Sequence, residues 1–396
     1  MIEIKDHSNL SGKPLAIFTP ADSEELISFL NSNKDVKYRI GAGLTGVSGA
    51  AVPENDEYYI DFSQYKSLYW IDRSEGIFSA AAGNTMSEIK EFTEAEGWSF
   101  PVMPGSLQKA TLGGMIACNG GGPLSLSFGK IKNFIRSLEI ITSEGTVLNL
   151  GSRCKKISEG PDFMQLFIGS EGSLGFISKA IMSCVKAPEI VLYRISHISF
   201  ATLLEAIPIF LAYEPLLLEM AEPDALKFSS GADESVIWLG LRKGTAFDSK
   251  NHPFFKILIQ TPENIKERFD IGYNLQHYKK FIDLDISFPL LHSASLLTEL
   301  KSLLNAQNIE SSFFGHAGDG NWHIHVFYDE GKQVSEAIIS EFDSILMKYE
   351  GHISGEHGIG RIHKKRFVKF KDVHYQSIYH AIKSNLDPNN KLPSLF

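Results

Sequence analysis

Cysteine is scarce in this sequence, and no segment is apolar over a long stretch. Three cysteines, Cys118, Cys154 and Cys184, lie far apart in 396 residues and form no C-x-x-C pair. This pattern excludes a disulfide framework and a four-cysteine iron–sulfur site, so we expect three small buried side chains. No apolar run approaches the roughly 20 residues that span a bilayer, and residues 1–6 lack the apolar core of a signal peptide. We therefore expect a cytoplasmic protein, with peripheral binding at the inner face of the membrane as an alternative.

Positive charge is also in short supply. The chain has 38 lysines and arginines against 47 aspartates and glutamates, a net charge of -9, which argues against a nucleic-acid partner. No G-x-x-x-x-G-K-[ST] sequence occurs, so a nucleoside triphosphatase is not supported. Hydrophobic residues at 43% and charged residues at 21% are typical of a soluble globular protein, and the length predicts about two to three domains.

A glycine-rich loop follows the short strand pattern of residues 38–40. Its sequence, Gly41-Ala42-Gly43-Leu44-Thr45-Gly46, matches the G-x-G-x-x-G fingerprint, and Asp61 stands 20 residues beyond Gly41. A Rossmann-type NAD-dependent dehydrogenase is therefore one alternative. However, Gly49 and Pro53 leave no room for the helix whose N-terminus must face the pyrophosphate. We therefore expect a long loop whose backbone N–H groups wrap a phosphate as an anion nest.

Two more glycine loops follow within the first 180 residues. The second loop covers residues 104–122 and has five glycines between Gly113 and Gly122, and the third covers residues 169–177. Three such loops between strand-like segments indicate close approach of the backbone to a large ligand. Besides residues 41–46, the residues expected at this ligand are Pro104, Gly105, Ser106, Thr111, Gly113, Gly114, Ala117, Asn119, Gly120, Gly169, Glu171, Gly172, Gly175 and Ile177.

Histidine is unevenly distributed: nine of the thirteen histidines lie in the last 105 residues. Three of them, His316, His323 and His325, flank Asp319-Gly320, a dipeptide that favours a type I′ hairpin turn. A two-residue turn there pairs His316 with His323, and the period of two puts His325 on the same face. Side chains paired in this way have Cβ atoms roughly 4.5–5.5 Å apart, so two imidazoles can reach one ion. The sequence therefore predicts a metal site on this hairpin.

A second histidine motif lies at Gly355-Glu356-His357-Gly358-Ile359-Gly360, where three glycines frame an acid–histidine pair. Neighbouring side chains point in different directions. Glu356 can therefore turn to a metal while His357 faces the reacting atoms of a substrate.

Together, these motifs resemble one protein family. Residues 41–53, 104–122, 128–129 and 169–177 resemble the FAD-binding domain of the vanillyl-alcohol-oxidase (PCMH-type) flavoproteins. Residues 315–325 and 355–360 are similar to the branch that contains D-lactate dehydrogenase, glycolate dehydrogenase or oxidase, and D-2-hydroxyglutarate dehydrogenase. The resemblance implies an α+β fold: an FAD-binding domain of two α+β subdomains at 1–188, an α+β substrate cap at 189–310 and a C-terminal segment at 311–396. Because residues 41–52 contain neither histidine nor cysteine, we expect non-covalent FAD.

The resemblance also implies roles for single residues. His316, His323 and Glu356 are expected to bind a divalent ion, zinc in the first place, although iron or manganese fits two nitrogens and a carboxylate equally well. Arg242 would hold the substrate carboxylate, and His357 would be the general base. His325 stands where many relatives have asparagine, so the roles of extra ligand, substrate contact and proton relay all stay open for it.

The implied reaction is oxidation of a D-2-hydroxy acid to the 2-oxo acid, with hydride transfer to flavin N5. Asp283 stands where 2-hydroxyglutarate enzymes have lysine, so a second substrate carboxylate would be repelled and lactate-sized or hydrophobic acids are expected instead. Because no cysteine cluster can take the electrons, a separate acceptor is implied: a quinone, an electron-transfer flavoprotein, a cytochrome or an iron–sulfur protein. A homodimer is compatible with the sequence. A non-catalytic flavin- or metal-binding protein is the second alternative.

Overall fold

The computed structural model describes residues 2–275, 277–329 and 334–396, and its contacts divide the chain into two units. Unit 1 contains the residues up to Gly122, residues 129–187 and residues 356–396. Unit 2 contains residues 123–128 and 188–355. The chain therefore passes from unit 2 to unit 1 at the peptide bond between Gly355 and Glu356.

The strands of both units are short to medium in length. In chain order they are β1 (Ile4–Lys5), β2 (Ser11–Gly12), β3 (Ala16–Phe18), β4 (Lys37–Gly41), β5 (Glu57–Asp61), β6 (Leu68–Asp72), β7 (Ile77–Ala81), β8 (Ile135–Ile141), β9 (Val147–Gly151), β10 (Phe176–Ser183), β11 (Ile190–His197), β12 (Leu217–Ala221), β13 (Ser235–Arg242), β14 (Lys256–Gln260), β15 (Lys280–Ser287), β16 (Ser311–His316) and β17 (Asn321–Tyr328).

The α-helices are distributed over both units. In chain order they are α1 (Ser23–Ser32), α2 (Met86–Glu94), α3 (Leu112–Cys118), α4 (Ser125–Phe128), α5 (Phe200–Leu211), α6 (Pro223–Leu226), α7 (Lys266–Leu275), α8 (Ser293–Ala306), α9 (Glu336–Lys348), α10 (Lys364–Phe370) and α11 (Val373–Leu386). No helix among these described residues is both long and apolar enough to span a bilayer.

Unit 1 is built on two main sheets. β3, β5 and β4 form a parallel sheet, and β6, β7, β10, β8 and β9 form an antiparallel sheet, in those orders. α1 begins where the Asp22 side chain accepts a hydrogen bond from the backbone N–H of Glu25, and it buries Leu26 and Leu30. These two leucines share a core cluster with Phe176 of β10 and with Leu392. Leu392, which follows α11, is therefore part of the core of unit 1.

Unit 2 is built on one antiparallel sheet with the strand order β14-β11-β13-β12-β16-β17-β15. The central strands β12 and β16 are buried along their full lengths, which requires cover on both faces. α7 supplies polar cover to one face, because Glu267 pairs with Arg194 of β11 and Arg268 pairs with Glu219 of β12. α5 packs against β11 and β13. The sheet therefore encloses a row of charged residues between itself and α7.

The histidine hairpin forms, but the predicted pairing is wrong. β16 ends at His316 and β17 begins at Asn321, so residues 317–320 make a four-residue connection instead of a two-residue turn. Phe314 lies opposite His323, and His316 lies opposite Asn321. The backbone N–H of Gly318 donates to the carbonyl of Leu218 on β12, 3.0 Å away, which holds the connection out of the ladder. Because the error is two residues, His316, His323 and His325 still share one face of the sheet.

Two fold-level expectations can be compared directly with the structure. The α+β class is confirmed, with mixed helices and sheets in both units. No helix follows Gly46, since residues 42–56 between β4 and β5 contain only turns, bends and irregular backbone, as expected. The three-domain division at 189 and 311 stays a prediction. In the structure, residues 311–355 lie with residues 188–310, while residues 356–396 lie in unit 1.

Candidate functional site

The three glycine loops of unit 1 come together in the structure. A Cβ atom on Gly43 of the first loop would lie 2.0 Å from the carbonyl oxygen of Lys109, which precedes α3. The third loop binds the same helix, because the N–H of Gly169 donates to the carbonyl of Ile116 at 3.0 Å and that of Glu171 to the carbonyl of Ala117 at 2.9 Å. α3 therefore fixes the second and third loops, and the glycine at 43 allows the first loop to approach them.

The residues predicted to bind the ligand lie in or beside these loops. Residues 41–46 run from the end of β4 into irregular backbone, and residues 104–106 precede Thr111, whose hydroxyl caps α3 by accepting from Gly114. Gly113, Gly114 and Ala117 lie in α3, Asn119 ends it and Gly120 follows. Gly169, Glu171, Gly172 and Gly175 lie in the connection to β10, and Ile177 lies in β10.

Buried polar atoms near these loops indicate that the ligand is polar. Among the described residues, the Tyr59 hydroxyl, the Asn119 side-chain oxygen and the Ser173 hydroxyl are buried and have no hydrogen-bond partner. The Tyr59 hydroxyl lies 2.1 Å from the position that a Cβ atom on Gly41 would take. Buried polar groups are normally hydrogen-bonded, so such atoms are what a ligand rich in hydroxyl, phosphate and amide groups would satisfy. The polar atoms at the loops therefore fit a ligand with the polar groups of FAD.

The motif at 356–360 also belongs to unit 1 and is tied to the glycine loops. The Glu171 carboxylate accepts hydrogen bonds from the N–H groups of Ile359 and Gly360, at 2.5 and 2.7 Å. The N–H groups of Arg361 and Ile362 donate to the carbonyl of Ser48 in the first loop. The site in unit 1 thus includes the acid–histidine pair, whose carboxylate Oε1 and imidazole Nε2 are 3.8 Å apart.

In unit 2, the three hairpin histidines lie on the sheet face that α7 covers. Their rings are buried, with relative exposures of 8% for His316, 5% for His323 and 6% for His325. The ring centroids of His316 and His323 are 5.3 Å apart, with the ring planes nearly perpendicular. The structure therefore brings together the two histidines predicted as ligands, although they are diagonal neighbours and not opposite each other.

Each histidine of this face has a carboxylate beside it. Nδ1 of His316 lies 2.6 Å from Oε1 of Glu219, and Nδ1 of His323 lies 3.6 Å from Oδ1 of Asp285. A carboxylate at Nδ1 fixes the ring orientation and directs Nε2 away from the carboxylate, which is how metal-binding histidines are usually held. Nε2 of His325 lies 3.7 Å from Oδ1 of Asp283, its neighbour in the β15–β17 ladder. The donor chemistry of His316 and His323 fits a divalent ion that prefers nitrogen ligands.

Asp285 connects the hairpin to residues 354 and 355, which precede the acid–histidine pair. Its Oδ1 accepts from the Asn321 amide at 2.7 Å, its Oδ2 accepts from the Ser354 hydroxyl at 3.1 Å, and its carbonyl accepts from the N–H of Gly355 at 3.2 Å. Gly355 is the last residue of unit 2, and Glu356 follows it. The backbone that leads to Glu356 is therefore fixed to the residue that faces His323 on β15.

The arginine predicted for the substrate carboxylate and a second arginine occupy different environments. Arg242 is exposed at the end of β13. Arg268 of α7 is 5% exposed, its Nε lies 3.0 Å from Oε2 of Glu219, and its guanidinium lies 4.5 Å from the centroid of the Phe314 ring. Sequence reasoning missed Arg268 because a Lys-Glu-Arg run resembles a solvated helix face. The available signal was its spacing from the buried Ile271 and Leu275, which puts all three on one helix face.

Comparisons with known proteins identify two domains in the chain. The sequence pattern of an FAD binding domain matches residues 14–151, and that of the C-terminal domain of FAD linked oxidases matches residues 263–393. A D-lactate dehydrogenase of Archaeoglobus fulgidus is 28% identical, over 95% of this chain and 89% of that protein. A D-2-hydroxyglutarate dehydrogenase of Stutzerimonas stutzeri is 25% identical, over 95% of this chain and 89% of that protein. Two solved structures of alkyldihydroxyacetonephosphate synthase have the same fold, with TM-scores of 0.74 and 0.72 at 18% identity over 95% of this chain and 75% and 76% of theirs.

The two matched regions contain several parts of the site described above. The match to the FAD binding domain includes the first two glycine loops, and the match to the oxidase C-terminal domain includes the histidine hairpin and residues 355–360. The buried polar atoms beside the loops agree with the cofactor that the first match names. The chain therefore belongs to the FAD-linked oxidoreductases of the vanillyl-alcohol-oxidase (PCMH-type) flavoprotein family.

Proposed function

We propose that the protein oxidises a D-2-hydroxy acid to the corresponding 2-oxo acid with non-covalent FAD and a divalent metal ion. The observation that carries the proposal is the buried pair His316 and His323, each with a carboxylate beside its Nδ1 at 2.6 and 3.6 Å, in a chain with three converging glycine loops. The relatives named above point the same way, because they are a D-lactate dehydrogenase and a D-2-hydroxyglutarate dehydrogenase.

His316, His323 and Glu356 would hold the metal ion, with zinc first and iron or manganese as alternatives. Glu219 orients the His316 imidazole through a hydrogen bond, and Asp285 lies beside the His323 imidazole. The N–H of Gly355, the residue before Glu356, donates to the carbonyl of Asp285. A bound divalent ion would supply a Lewis acid that lowers the pKa of the substrate hydroxyl. FAD would supply the hydride acceptor at N5.

His357 would remove the hydroxyl proton as the general base. The framing glycines support this role, since Gly358 and Gly360 have positive φ angles of 81° and 51° that let the backbone turn sharply on either side of Ile359. The side chain of His357 is 25% exposed, so it is accessible to a substrate. His325 keeps three candidate roles, as an extra ligand, a substrate contact or a proton relay.

For the substrate carboxylate we assign Arg268 in preference to Arg242. Arg268 lies on the histidine face, where a planar guanidinium can pair with a carboxylate through two hydrogen bonds. Arg242 remains a candidate only for a solvent-facing contact, because it is exposed at a strand end. Asp283 is 8% exposed, and its carboxylate disfavours a second carboxylate on the substrate, so lactate-sized or hydrophobic acids are proposed over 2-hydroxyglutarate.

The electrons would leave reduced FAD for a separate acceptor: a quinone, an electron-transfer flavoprotein, a cytochrome or an iron–sulfur protein. The three cysteines support this, because they lie far apart in the sequence. The expectation that all three are buried is wrong, since Cys118 and Cys184 are partly buried and Cys154 is exposed. We propose a homodimer as the assembly to test by mass in solution. A cytoplasmic location, with or without peripheral membrane binding, is part of the same proposal.

Anaerobic bleaching of the bound flavin tests the proposed reaction. The FAD-loaded protein is mixed with a panel of D- and L-2-hydroxy acids, and loss of flavin absorbance is followed without oxygen. We expect bleaching by D-lactate or a hydrophobic D-acid and none by the L-acids. Arg268→Ala should raise the substrate concentration for half-maximal bleaching far more than the matched change Arg242→Ala. A flavin that stays oxidised with every acid would favour the non-catalytic alternative, a flavin- or metal-binding protein.

A further inference from the structure

The side chain of Glu171, in the third glycine loop, contacts the segment that follows His357. Its carboxylate accepts hydrogen bonds from two consecutive backbone N–H groups of another segment, Ile359 at 2.5 Å and Gly360 at 2.7 Å. These amides lie two and three residues beyond His357. Hydrogen bonds to an ionised acceptor are shorter and roughly twice as strong as those between neutral groups. The carboxylate therefore forms a strong link between the third loop and the motif at 356–360, entirely within unit 1.

The backbone around Glu171 is arranged to support this link. Glu171 has a φ angle of 51°, a conformation that a side chain other than glycine adopts only under constraint. Its own N–H donates to the carbonyl of Ala117 in α3 at 2.9 Å, which fixes the base of the side chain. An unusual backbone conformation persists when the surrounding structure determines it. Here it aims the carboxylate at the amides of Ile359 and Gly360.

Glycines in the segment at 356–360 make room for the Glu171 carboxylate. A Cβ atom on Gly358 would lie 2.6 Å from Oε1 of Glu171, closer than real Cβ contacts, so only glycine lets the carboxylate approach at this position. Gly360 is equally constrained, because a Cβ atom there would lie 2.2 Å from the carbonyl oxygen of Ser48. The two glycines that frame the motif are therefore explained by its contacts with the third and first loops.

Charge and burial make the link sensitive to the chemistry of residue 171. Burial raises the pKa of the Glu171 carboxyl, and the two amide hydrogen bonds and the nearby Arg39 act in the opposite direction. Glutamine has one acceptor oxygen, and its NH2 group would point at an amide that can only donate. Replacing the carboxylate with an amide of the same shape therefore removes one of the two hydrogen bonds without creating a cavity.

We propose that Glu171 is a positioning residue, which holds the segment of Glu356 and His357 against the flavin-binding loops and acts through that segment and not as a ligand of the cofactor. The proposal rests on the proposed function, because it requires His357 to act on the substrate. It differs from the sequence prediction, in which Glu171 is one of the residues that bind FAD. The link joins the loop that approaches the flavin to the residue that takes the substrate proton.

The test compares the FAD-loaded parent with Glu171→Gln, Glu171→Asp and the exposed control Glu75→Gln, which makes the same charge change elsewhere in unit 1. Hydrogen exchange of residues 357–362 measures the link directly, without substrate. FAD content after gel filtration and anaerobic flavin reduction by the best D-2-hydroxy acid are measured on the same samples. We expect Glu171→Gln to keep its FAD, to exchange the amides of Ile359 and Gly360 roughly tenfold to hundredfold faster, and to reduce flavin more slowly by a similar factor.

A double-mutant cycle with His357→Ala separates positioning from a general loss of structure. If Glu171 acts through the segment, its replacement should change the flavin-reduction rate less than about twofold when His357 is already alanine. Glu171→Asp, which keeps the charge but is shorter, should also speed exchange of the two amides. If Glu171→Gln does not fold, amide exchange in Glu171→Asp provides the test.

Two outcomes would overturn the assignment. Unchanged exchange at Ile359 and Gly360 would show that the carboxylate does not hold the segment. Loss of FAD in proportion to loss of activity would return Glu171 to the role of cofactor ligand. A parent protein whose flavin no hydroxy acid reduces would defeat the proposed function, and the exchange measurement would still decide whether Glu171 holds the segment.

Discussion

Glu219 provides the sharpest single test of how the histidine face is held together. Its side chain is 1% exposed, with Oε1 at 2.6 Å from His316 Nδ1 and Oε2 at 3.0 Å from Arg268 Nε. Glu219→Ala removes the carboxylate that compensates a buried guanidinium. Breaking a buried ion pair by removing one partner typically costs about 3–5 kcal/mol. We expect a loss of that size in the free energy of unfolding of unit 2.

The same substitution should weaken metal binding, for a separate reason. The carboxylate that orients a metal-binding imidazole typically contributes about 10-fold to 100-fold in metal affinity. The double change Glu219→Met with Arg268→Met replaces the pair by apolar side chains of similar length. It should recover most of the stability, because it leaves no uncompensated charge, but not the metal affinity. Stability and metal affinity therefore respond differently to the second substitution.

The assay is urea denaturation followed by tryptophan fluorescence, with chelator competition for the metal. Trp238 and Trp322 are both buried in unit 2 and report on its unfolding. The matched control is Glu189→Ala, whose partner Lys243 and own side chain are 70% and 72% exposed, so solvent screens the pair and its loss should change the stability very little. If Glu219→Ala destabilises the protein no more than this control does, the argument from a buried, compensated charge is wrong.

Four further predictions follow from particular groups. Acid precipitation should release the FAD into the supernatant, and flavin retained in the pellet would contradict non-covalent binding. His323→Ala should lose both bound metal and turnover. His357→Ala should keep its metal, while its rate of flavin reduction should fall by roughly 10²–10⁴. Metal analysis and anaerobic kinetics on the same samples check both expectations. Asp283→Lys should narrow the preference for D-lactate over D-2-hydroxyglutarate in kcat/KM, and a parent that prefers D-2-hydroxyglutarate would refute the charge argument. Burial raises the pKa of the Glu222 carboxyl to about 7, although Lys301 opposes the shift. The folded state therefore binds this proton more tightly than the unfolded state, and the free energy of unfolding should fall as the pH rises from about 4.5 to 7. In Glu222→Gln, the urea midpoint should depend less on pH over this range.

Local sequence patterns determined the cofactor loops well, because their chemistry depends on residues close together in the chain. Gly49 and Pro53 prevent a helix after Gly46 whatever the rest of the chain does, so local sequence alone disfavours the NAD-type arrangement. The density of glycine at 113–122 likewise predicts close approach of the backbone to a ligand.

The hairpin register could not be read from the turn dipeptide alone. Asp319-Gly320 favours a two-residue turn, but the strand β12 decides the pairing by accepting a hydrogen bond from Gly318 and by pairing Met220 with Gly315. β12 lies about a hundred residues earlier in the sequence, so no local pattern contains this information. The period of two preserved the shared face of the histidines even though the register was wrong.

Partners across the sheet and across loops were decided only by the tertiary structure. Arg268 and Glu219 are both ordinary charged residues in the sequence, and their pairing depends on the position of α7 over β12. Glu171 and the amides of residues 359 and 360 lie nearly 190 residues apart, and the strength of their contact depends on angles and burial that composition does not encode. Sequence therefore determined which residues can carry flavin and metal chemistry, since that depends on side-chain type and local spacing. Only the fold determined which charges orient them, because orientation depends on contacts between distant segments.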